Sequence, residues 1–389
     1  MASIYENAYV VISATRTRTG DDGCFSERIG SHKLTTIKKD RQPVTVYVRR
    51  ETEHRHFIQT PPVFDPVPLF ERAWCFQERL LARRIIHYTD DEIYWECGQS
   101  LLCECGSVTD PMYRNNEPDT GNFKLQYTKF VREEDLEMKL HLWYQIIHEY
   151  SQRALTFESD LLPELSGTAS QIASPLLGRY YAGIWEHTMP QALLWRPWGS
   201  KLNHVGKRPA EYRAPSWSWA AINAACMTWN LNSENTSDLH YPCQIREVDH
   251  NLVSSDPYGQ ISDASIRMSA PTFTATVRYS WNKDMNRLQY WADYGDTSDR
   301  IEEDLPLECD PGSTPDKSKI LAAVIMTALY PLPIRLFSAI WGDQKREHRW
   351  QGLALRPSIR RPGCYERIGR IEGPLHVLRL SIKRGIVLV

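Results

Sequence analysis

Three cysteines lie close together in the stretch ECGQSLLCECG, at Cys97, Cys103 and Cys105. Thiolates could hold a zinc ion, but tetrahedral zinc sites need four ligands and usually use CxxC pairs, which let two thiolates reach one ion. The stretch has no CxxC pair, and the nearest histidine along the chain is His87. Buried free thiols on a hairpin are the alternative interpretation. The spacing favours that alternative, so the sequence predicts no metal site.

A carboxylate with a different potential role is Glu78, in the stretch CFQERLLARR. Trp74 and Gln77 recur at helical spacing just before it, which puts Glu78 at the edge of a buried stripe. A partly buried carboxylate can have a raised pKa and act as an acid or a base. The alternative is a structural carboxylate that pairs with an arginine, either Arg83 or Arg84. Spacing alone favours the structural role.

The common short signatures of catalysis do not occur in the sequence. It has no GxxxxGK[ST] phosphate loop, no GxGxxG turn, no GxSxG elbow and no HExxH helix. Their absence argues against a P-loop enzyme, a dinucleotide oxidoreductase, a serine hydrolase and a zinc protease of those types. An enzyme whose catalytic groups lie far apart in sequence is still compatible with this chain.

The stretch RAPSWSWA, residues 213–220, places two tryptophans on either side of one serine. In an extended strand Trp217 and Trp219 would share one face. Two such rings could form an exposed stacking platform for a ligand, or a buried anchor that closes a core. Pro215 favours an extended entry and the serines take the opposite face, which favours the anchor.

Hydrophobic periodicity indicates the elements that must position these residues. The helices predicted are one through LFERAWCFQERLLARR, an amphipathic one over 133–153 with an apolar stripe, and one that starts near Asp160 as its cap. The strands predicted are a buried one in YVVISA, then 44–48, RIIHY, EIYWEC, TFTATVRYS, ILAAVIM, WQGLAL and LRLSI. The chain is therefore expected to be mixed α and β before about residue 220 and mainly β after it.

Composition and charge give few signs of a special partner. A net charge of -2 gives no general reason to expect nucleic acid or an anionic membrane. Segment 31–56 is locally basic, yet no aromatic stacking pattern accompanies the charge, so a solvated hairpin is favoured there. The longest apolar run, 320–334, is too short to cross a bilayer and contains two prolines. With no basic, apolar leader at the start, a cytoplasmic location is expected.

Several blocks, taken in order, resemble fungal heterokaryon incompatibility (HET) domain proteins. RAWCFQERLLARRIIHY followed by IYWECGQSLLCECG is similar to one block, LWYQIIHEYSQRALTFESDLLPELSGTAS and YYAGIWEHTMPQALLW to the next two, and YRAPSWSWAA to the most recognisable. DPYGQIS and GCYERIG are similar to weaker C-terminal blocks. The residues that carry these motifs are Trp74, Gln77, Glu78, Arg84, Trp95, Glu96, Cys97, Trp185, Pro215, Trp217 and Trp219.

The resemblance implies an α+β fold in three parts. Residues 1–110 would be the C-terminal part of a HET domain, a partial α/β core of TIR or flavodoxin type. Residues 111–220 would be a helical region that ends in RAPSWSWA, and residues 221–389 a β-rich region. The implied role is non-self recognition and programmed cell death, with other incompatibility proteins or further copies of this chain as partners, and with no cofactor.

The family domain opens with a Y-x-A-L-S-Y-x-W-G strand and a D-x-x-C-I-x-Q segment, and neither occurs here. The resemblance therefore implies a HET domain without its N-terminal half. Because some TIR domains cleave NAD with a glutamate, Glu78 inherits that role as an alternative, with NAD as substrate. The missing half favours the absence of enzyme activity in this form, and an inactive fragment or decoy is a further alternative.

Overall fold

The computed structural model describes residues 2–25, 32–39, 42–48, 54, 67–109, 123–198, 207–228, 240–282, 287–294, 296–304, 319–330 and 347–389. Contacts divide the chain into two compact units. The first consists of Met1–Glu133 with Arg153–Leu155, and the second of Glu134–Gln152 with Thr156–Val389. The three-part division at residues 110 and 220 stays a prediction.

The first unit contains a small mixed sheet and short helices. In chain order its described elements are α1 (Ala2–Asn7), β1 (Val11–Ser13), β2 (His32–Lys39), β3 (Gln42–Val48), α2 (Ala73–Leu81), β4 (Arg84–Tyr88), β5 (Ile93–Cys97), β6 (Leu101–Cys103) and α3 (Phe123–Phe130). One sheet has the order β1-β4-β5-β6, with β1 parallel to β4 and the other two pairs antiparallel. Strands β2 and β3 form a separate hairpin. The helix predicted through LFERAWCFQERLLARR is present but shorter, as a 3-10 turn at Pro68–Glu71 followed by α2, and the strands RIIHY and EIYWEC are confirmed.

The beginning of the chain differs from the expected buried strand. Residues Ala2–Asn7 are helical, and only Val11–Ser13 of YVVISA pairs in the sheet. Ile12 is 63% exposed because β1 is the end strand of the described sheet and has a neighbour on one side only. Alternating apolar residues identified the strand, but periodicity cannot tell an end strand from a central one.

The second unit begins with helices that carry its aromatic core. Its first elements are α4 (Leu136–Ser151), α5 (Leu161–Ile172), β7 (Tyr180–Tyr181), β8 (Ile184–Trp185), α6 (Met189–Ala192), β9 (Arg196–Pro197) and β10 (Cys226–Met227). Helix α4 starts where the Asp135 carboxylate accepts a hydrogen bond from the Met138 amide at 2.8 Å. Its predicted stripe is buried, as Leu140, Trp143 and Tyr150 show. Asp160 precedes α5 as expected, but its side chain makes no cap hydrogen bond.

The rest of the second unit is a large antiparallel sheet. Its described strands are β11 (Gln244–Leu252), β12 (Ile261–Asn282), β13 (Arg287–Tyr294), β14 (Thr297–Glu303), β15 (Lys319–Tyr330), β16 (Glu347–Pro357), β17 (Tyr365–Pro374) and β18 (Ile382–Leu388). The pairings run from β12 through β13, β14, β17, β16 and β15 back to β12, which closes a ring. Apolar side chains fill its inside, among them Phe273, Tyr290, Tyr294, Ile301 and Trp350. The β-rich region after residue 220 is thus confirmed.

One predicted strand in this region is wrong. LRLSI falls at the end of a 3-10 helix, Leu375–Leu380, and only its last residue begins β18. Pro374 ends β17, and Val377 turns into the apolar core of the ring with 2% of its surface exposed. A short apolar run cannot distinguish these two backbone shapes.

The buried side chain of Arg367 connects strand β17 to the aromatic core of the second unit. Arg367 forms an ion pair with Asp304 at 2.8 and 2.9 Å, with 0% and 2% of the two side chains exposed. Its guanidinium lies 3.7 Å from the ring centre of Trp195 and also donates to the carbonyls of Leu193 and Trp195. Burial raises the pKa of Asp304, and the charge of Arg367 opposes that rise. Each nitrogen of the Arg367 guanidinium therefore donates to at least one acceptor, which offsets the cost of burying its charge.

None of the helices in the described part of the chain is long and apolar enough to cross a membrane.

Replacing Arg367 by methionine should destabilise the protein by about 3–5 kcal/mol, because Asp304 would be left buried without its counter-charge. Urea unfolding gives the free energy. Arg361→Met is the matched control, since its ion pair with Asp263 is 44% and 42% exposed and should be worth less than about 1 kcal/mol. Equal losses in the two variants would contradict this interpretation.

Candidate functional site

The two halves of the first motif block meet in a buried ion pair in the first unit. Arg79, on α2, donates to both carboxylate oxygens of Glu96, on β5, at 2.7 and 2.6 Å. The Glu96 side chain is completely buried. Two parallel hydrogen bonds between a guanidinium and a carboxylate are the strongest geometry for such a pair. The residue next to Glu78, rather than Glu78 itself, thus joins the helix to the sheet.

An imidazole and a hydroxyl extend this ion pair across the sheet. His87 Nε2 lies 3.0 Å from Glu96 Oε2, and His87 Nδ1 lies 3.0 Å from the hydroxyl of Thr15. The order hydroxyl, imidazole, carboxylate is also that of a nucleophilic triad. Here Thr15, His87 and Glu96 are each at most 1% exposed, so a substrate cannot reach them in this conformation. The arrangement therefore acts as a cross-link between the strands.

The charges of this network follow from burial and from the partners. Burial alone raises the pKa of Glu96, but the Arg79 ion pair and the His87 hydrogen bond lower it well below its usual range. Burial lowers the pKa of His87, against the pull of Glu96. The network therefore holds an ionised carboxylate, a guanidinium cation and a neutral imidazole at neutral pH.

A buried lysine closes the end of the same helix. Lys124 Nζ, on α3, donates to the carbonyls of Arg79 at 2.6 Å, Leu80 at 3.1 Å and Ala82. These are carbonyls from the last turn of α2, which have no partner within the helix. Burial lowers the pKa of Lys124 to about 8, although the charge of Glu96 opposes that shift.

Glu78 lies half-buried on α2 and does not take part in the network. Its carboxylate bonds the hydroxyl of Tyr5 on α1, and burial together with this contact raises the pKa of Tyr5. In the described structure Glu78 makes no ion pair with Arg83 or Arg84, the partners that spacing offered. Arg84 instead lies 5.0 Å from the ring centre of Tyr9 and donates to its carbonyl at 3.4 Å.

The other motif residues of the first unit surround the same helix and sheet. Gln77 is buried on α2, whereas Trp74 is half-buried on the same helix and Trp95 is half-buried on β5. Cys97, at the end of β5, contacts the hydroxyl of Ser100 at 3.4 Å. Their placement fits packing roles between α2 and the sheet.

The cysteines of ECGQSLLCECG divide into two groups. Cys103 and Cys105 lie beside His54 and Glu92, with one candidate ligand atom from each within 4.8 Å of all the others, and Cys97 is not among them. Sequence reasoning missed His54, which lies in the basic segment assigned to a solvated hairpin, and Glu92. No local signal links His54 to residues about fifty positions farther along the chain.

In the second unit the stretch RAPSWSWA is not a strand. Residues after Pro215 form a turn and a 3-10 helix, Trp219–Ala221, capped by the Ser218 hydroxyl, which accepts from the Ala220 amide at 3.0 Å. Arg213 imposes this shape, because its guanidinium donates to the carbonyl of Ala220 at 2.7 Å and would not reach it from an extended chain.

Both tryptophans of this stretch are buried, with 0% of Trp217 and 1% of Trp219 exposed. The indole nitrogens of Trp219 and Trp143 both donate to the carbonyl of Gly183, each at 3.1 Å. Trp185, also buried, packs edge-on against Trp143 at 5.7 Å. Rings without exposed faces cannot stack on a ligand, so their role is to pack the core of this unit.

The Lys124 geometry predicts a specific pH dependence. Between pH 8 and 10.5 the unfolded chain holds more protons at this lysine than the folded chain, so stability rises with pH across that window. Lys124→Met should remove this rise, whereas Lys129→Met, an exposed lysine on the same helix, should retain it. Urea midpoints at several pH values in the window measure the difference. Parallel curves for wild type and Lys124→Met would disprove it.

Gly183→Ala should destabilise the protein by more than about 2 kcal/mol. Gly183 has a φ of +92°, and an added Cβ would lie 2.5 Å from Trp219 Nε1. Gly385→Ala is the control, because nothing lies within 4 Å of a Cβ there. Thermal midpoints compare the two variants; a Gly183→Ala midpoint equal to that of the control would show that Trp219 is not held by this contact.

Comparison with known proteins gives one finding for the first unit. Residues 1–78 match the family model described as Heterokaryon incompatibility protein (HET). No curated protein and no solved structure matches the chain. The match ends at Glu78, inside helix α2, one residue before the arginine that pairs with Glu96. The similarity to the HET family is therefore shown for residues 1–78 of this chain.

Proposed function

We propose that this protein acts in fungal non-self recognition as a cytoplasmic effector that triggers programmed cell death. The observation that carries the proposal is the HET family match over residues 1–78. The Arg79–Glu96 pair supports it further, because it holds the end of the matched segment on a sheet formed largely by residues beyond the match.

The effector works through contact with other incompatibility proteins or with further copies of itself. In the first unit three large apolar side chains near β1 are exposed: Ile4 by 66%, Tyr9 by 81% and Ile12 by 63%. Strand β1 is also the end strand of the described sheet. An end strand with apolar neighbours favours the addition of a partner strand or surface.

A NAD-cleaving activity through Glu78, on a TIR-like or flavodoxin-like core, is the second candidate. The half-buried carboxylate of Glu78, held by the Tyr5 phenol rather than by an arginine, favours it. A partly buried carboxylate can serve as an acid or a base in catalysis. Against it, the Thr15, His87 and Glu96 array of the first unit is buried.

Inducible expression of the full chain in a filamentous fungus should kill hyphal compartments, scored with a vital dye against an uninduced culture. Tyr9→Glu and Ile12→Glu should abolish killing without loss of protein, because they place charge on the proposed contact surface. Accumulation of wild-type protein without death would contradict the effector role and favour a decoy.

Glu78→Gln separates the two candidates in the same strain. The contact mechanism predicts that this variant kills as well as wild type and that cellular NAD stays constant. If Glu78→Gln fails to kill, and only the wild-type protein depletes cellular NAD, the NAD-cleaving activity rather than the contact mechanism causes cell death.

A further inference from the structure

Four side chains with metal-ligating atoms converge beside strands β5 and β6. His54 Nε2 lies 3.3 Å from Cys105 Sγ, His54 Nδ1 lies 3.2 Å from Glu92 Oε1, and the sulfurs of Cys103 and Cys105 are 3.2 Å apart. Glu92 Oε1 is also 3.5 Å from Cys105 Sγ. All four groups thus point at one small volume.

The distances match the edges of a tetrahedron around one ion. With Zn–N near 2.0 Å and Zn–S near 2.3 Å, ligand atoms of a tetrahedral zinc site lie about 3.3 to 3.8 Å apart. The three separations that involve Cys105 Sγ, 3.2 to 3.5 Å, lie within or just below that range, and one ligand atom from each of the four residues lies within 4.8 Å of all the others. A set of two sulfurs, one imidazole nitrogen and one carboxylate oxygen suits zinc better than magnesium or calcium, which prefer oxygen alone.

Backbone amides donate to both sulfurs, while burial raises the pKa of the Cys103 thiol. The Val108 amide donates to Cys103 Sγ at 3.3 Å and the Ser107 amide to Cys105 Sγ at 3.5 Å. Gly106, with a φ of +79°, makes the turn that aims both amides at the sulfurs. Metal ligation requires thiolates, and N–H donors stabilise them.

Burial would shield a bound ion from water at this point. His54 and Glu92 are each 1% exposed. The sulfur atoms are too far apart for a disulfide, whose bond is about 2.05 Å. The Tyr94 hydroxyl lies 2.8 Å from His54 Nδ1 and orients the ring, as partners of ligating histidines do.

We propose that His54, Glu92, Cys103 and Cys105 bind one structural zinc ion. Four protein ligands leave no open position, which is the arrangement of a structural rather than a catalytic site. The ion ties His54, within the HET-matched residues 1–78, to the β5–β6 hairpin beyond them. The proposal is independent of the cell-death role, because it concerns only the folding of the first unit.

The test is metal analysis of the full chain purified without chelator. We expect one zinc per chain by elemental analysis, and less than a tenth of that in Cys105→Ser. Cys97→Ser is the matched control, since it removes a thiol from the same hairpin outside the cluster and should keep the zinc. Cobalt exchange into the wild type should give a thiolate-to-cobalt charge-transfer band with the intense visible bands of tetrahedral coordination.

The cobalt spectrum keeps the test decisive if the serine variant fails to fold, because it needs only wild-type protein. A tetrahedral cobalt–thiolate spectrum supports the site. Wild-type protein without zinc that also gives no such spectrum on reconstitution overturns it. So does a Cys103–Cys105 disulfide found by mass spectrometry in protein purified under reducing conditions, or equal zinc loss in the Cys97→Ser control.

Discussion

The pairing of Arg79 with Glu96 is the interaction on which the first unit depends. A fully buried carboxylate is costly unless cationic and hydrogen-bonding partners surround it, and here Arg79 and His87 both contact it. Because Arg79 belongs to helix α2 and Glu96 to strand β5, satisfying the carboxylate also fixes the helix on the sheet. Lys124 adds a second constraint at the end of that helix. The orientation of Glu78, next to Arg79, follows from both.

In the second unit, several buried polar groups pair with backbone carbonyls or stack on aromatic rings. Trp143 and Trp219 share the carbonyl of Gly183, while Trp195 donates to the carbonyl of Trp217 at 2.8 Å. Arg367 then covers Trp195 and neutralises Asp304. The indoles of Trp143, Trp195 and Trp219 thus find carbonyl acceptors, whereas the indole N–H of Trp217 is buried without a hydrogen-bond partner in the described structure. The chemistry of RAPSWSWA serves packing rather than ligand binding.

The sequence predicted elements better than it predicted the sites. Helix α4 and strands β4 and β5 were predictable because their apolar residues repeat at the period of the element. The spacing of Trp217 and Trp219 suggested an extended segment in RAPSWSWA. The actual turn is held by hydrogen bonds from Arg213 to the carbonyls of Ala220 and Ile222, and no local sequence pattern predicts these acceptors. Likewise, the sequence shows Cys103 and Cys105 as a cluster, but His54 is brought next to Cys105 only by the tertiary fold. Glu78 drew attention by its place on helix α2. The residue that pairs with its neighbour Arg79 is Glu96, seventeen residues farther along the chain on strand β5, which the spacing within the helix does not indicate.

The most direct test of the central interaction is a double-mutant cycle on Arg79 and Glu96. Arg79→Met, Glu96→Gln and the double variant would be compared by hydrogen exchange at the amides of β4 and β5, which reports the opening free energy of this sheet. Each single variant should lose at least about 2 kcal/mol, and the double should lose less than their sum by about 1.5 kcal/mol or more. Losses that add to within about 0.5 kcal/mol would contradict the account, because independent residues behave in that way.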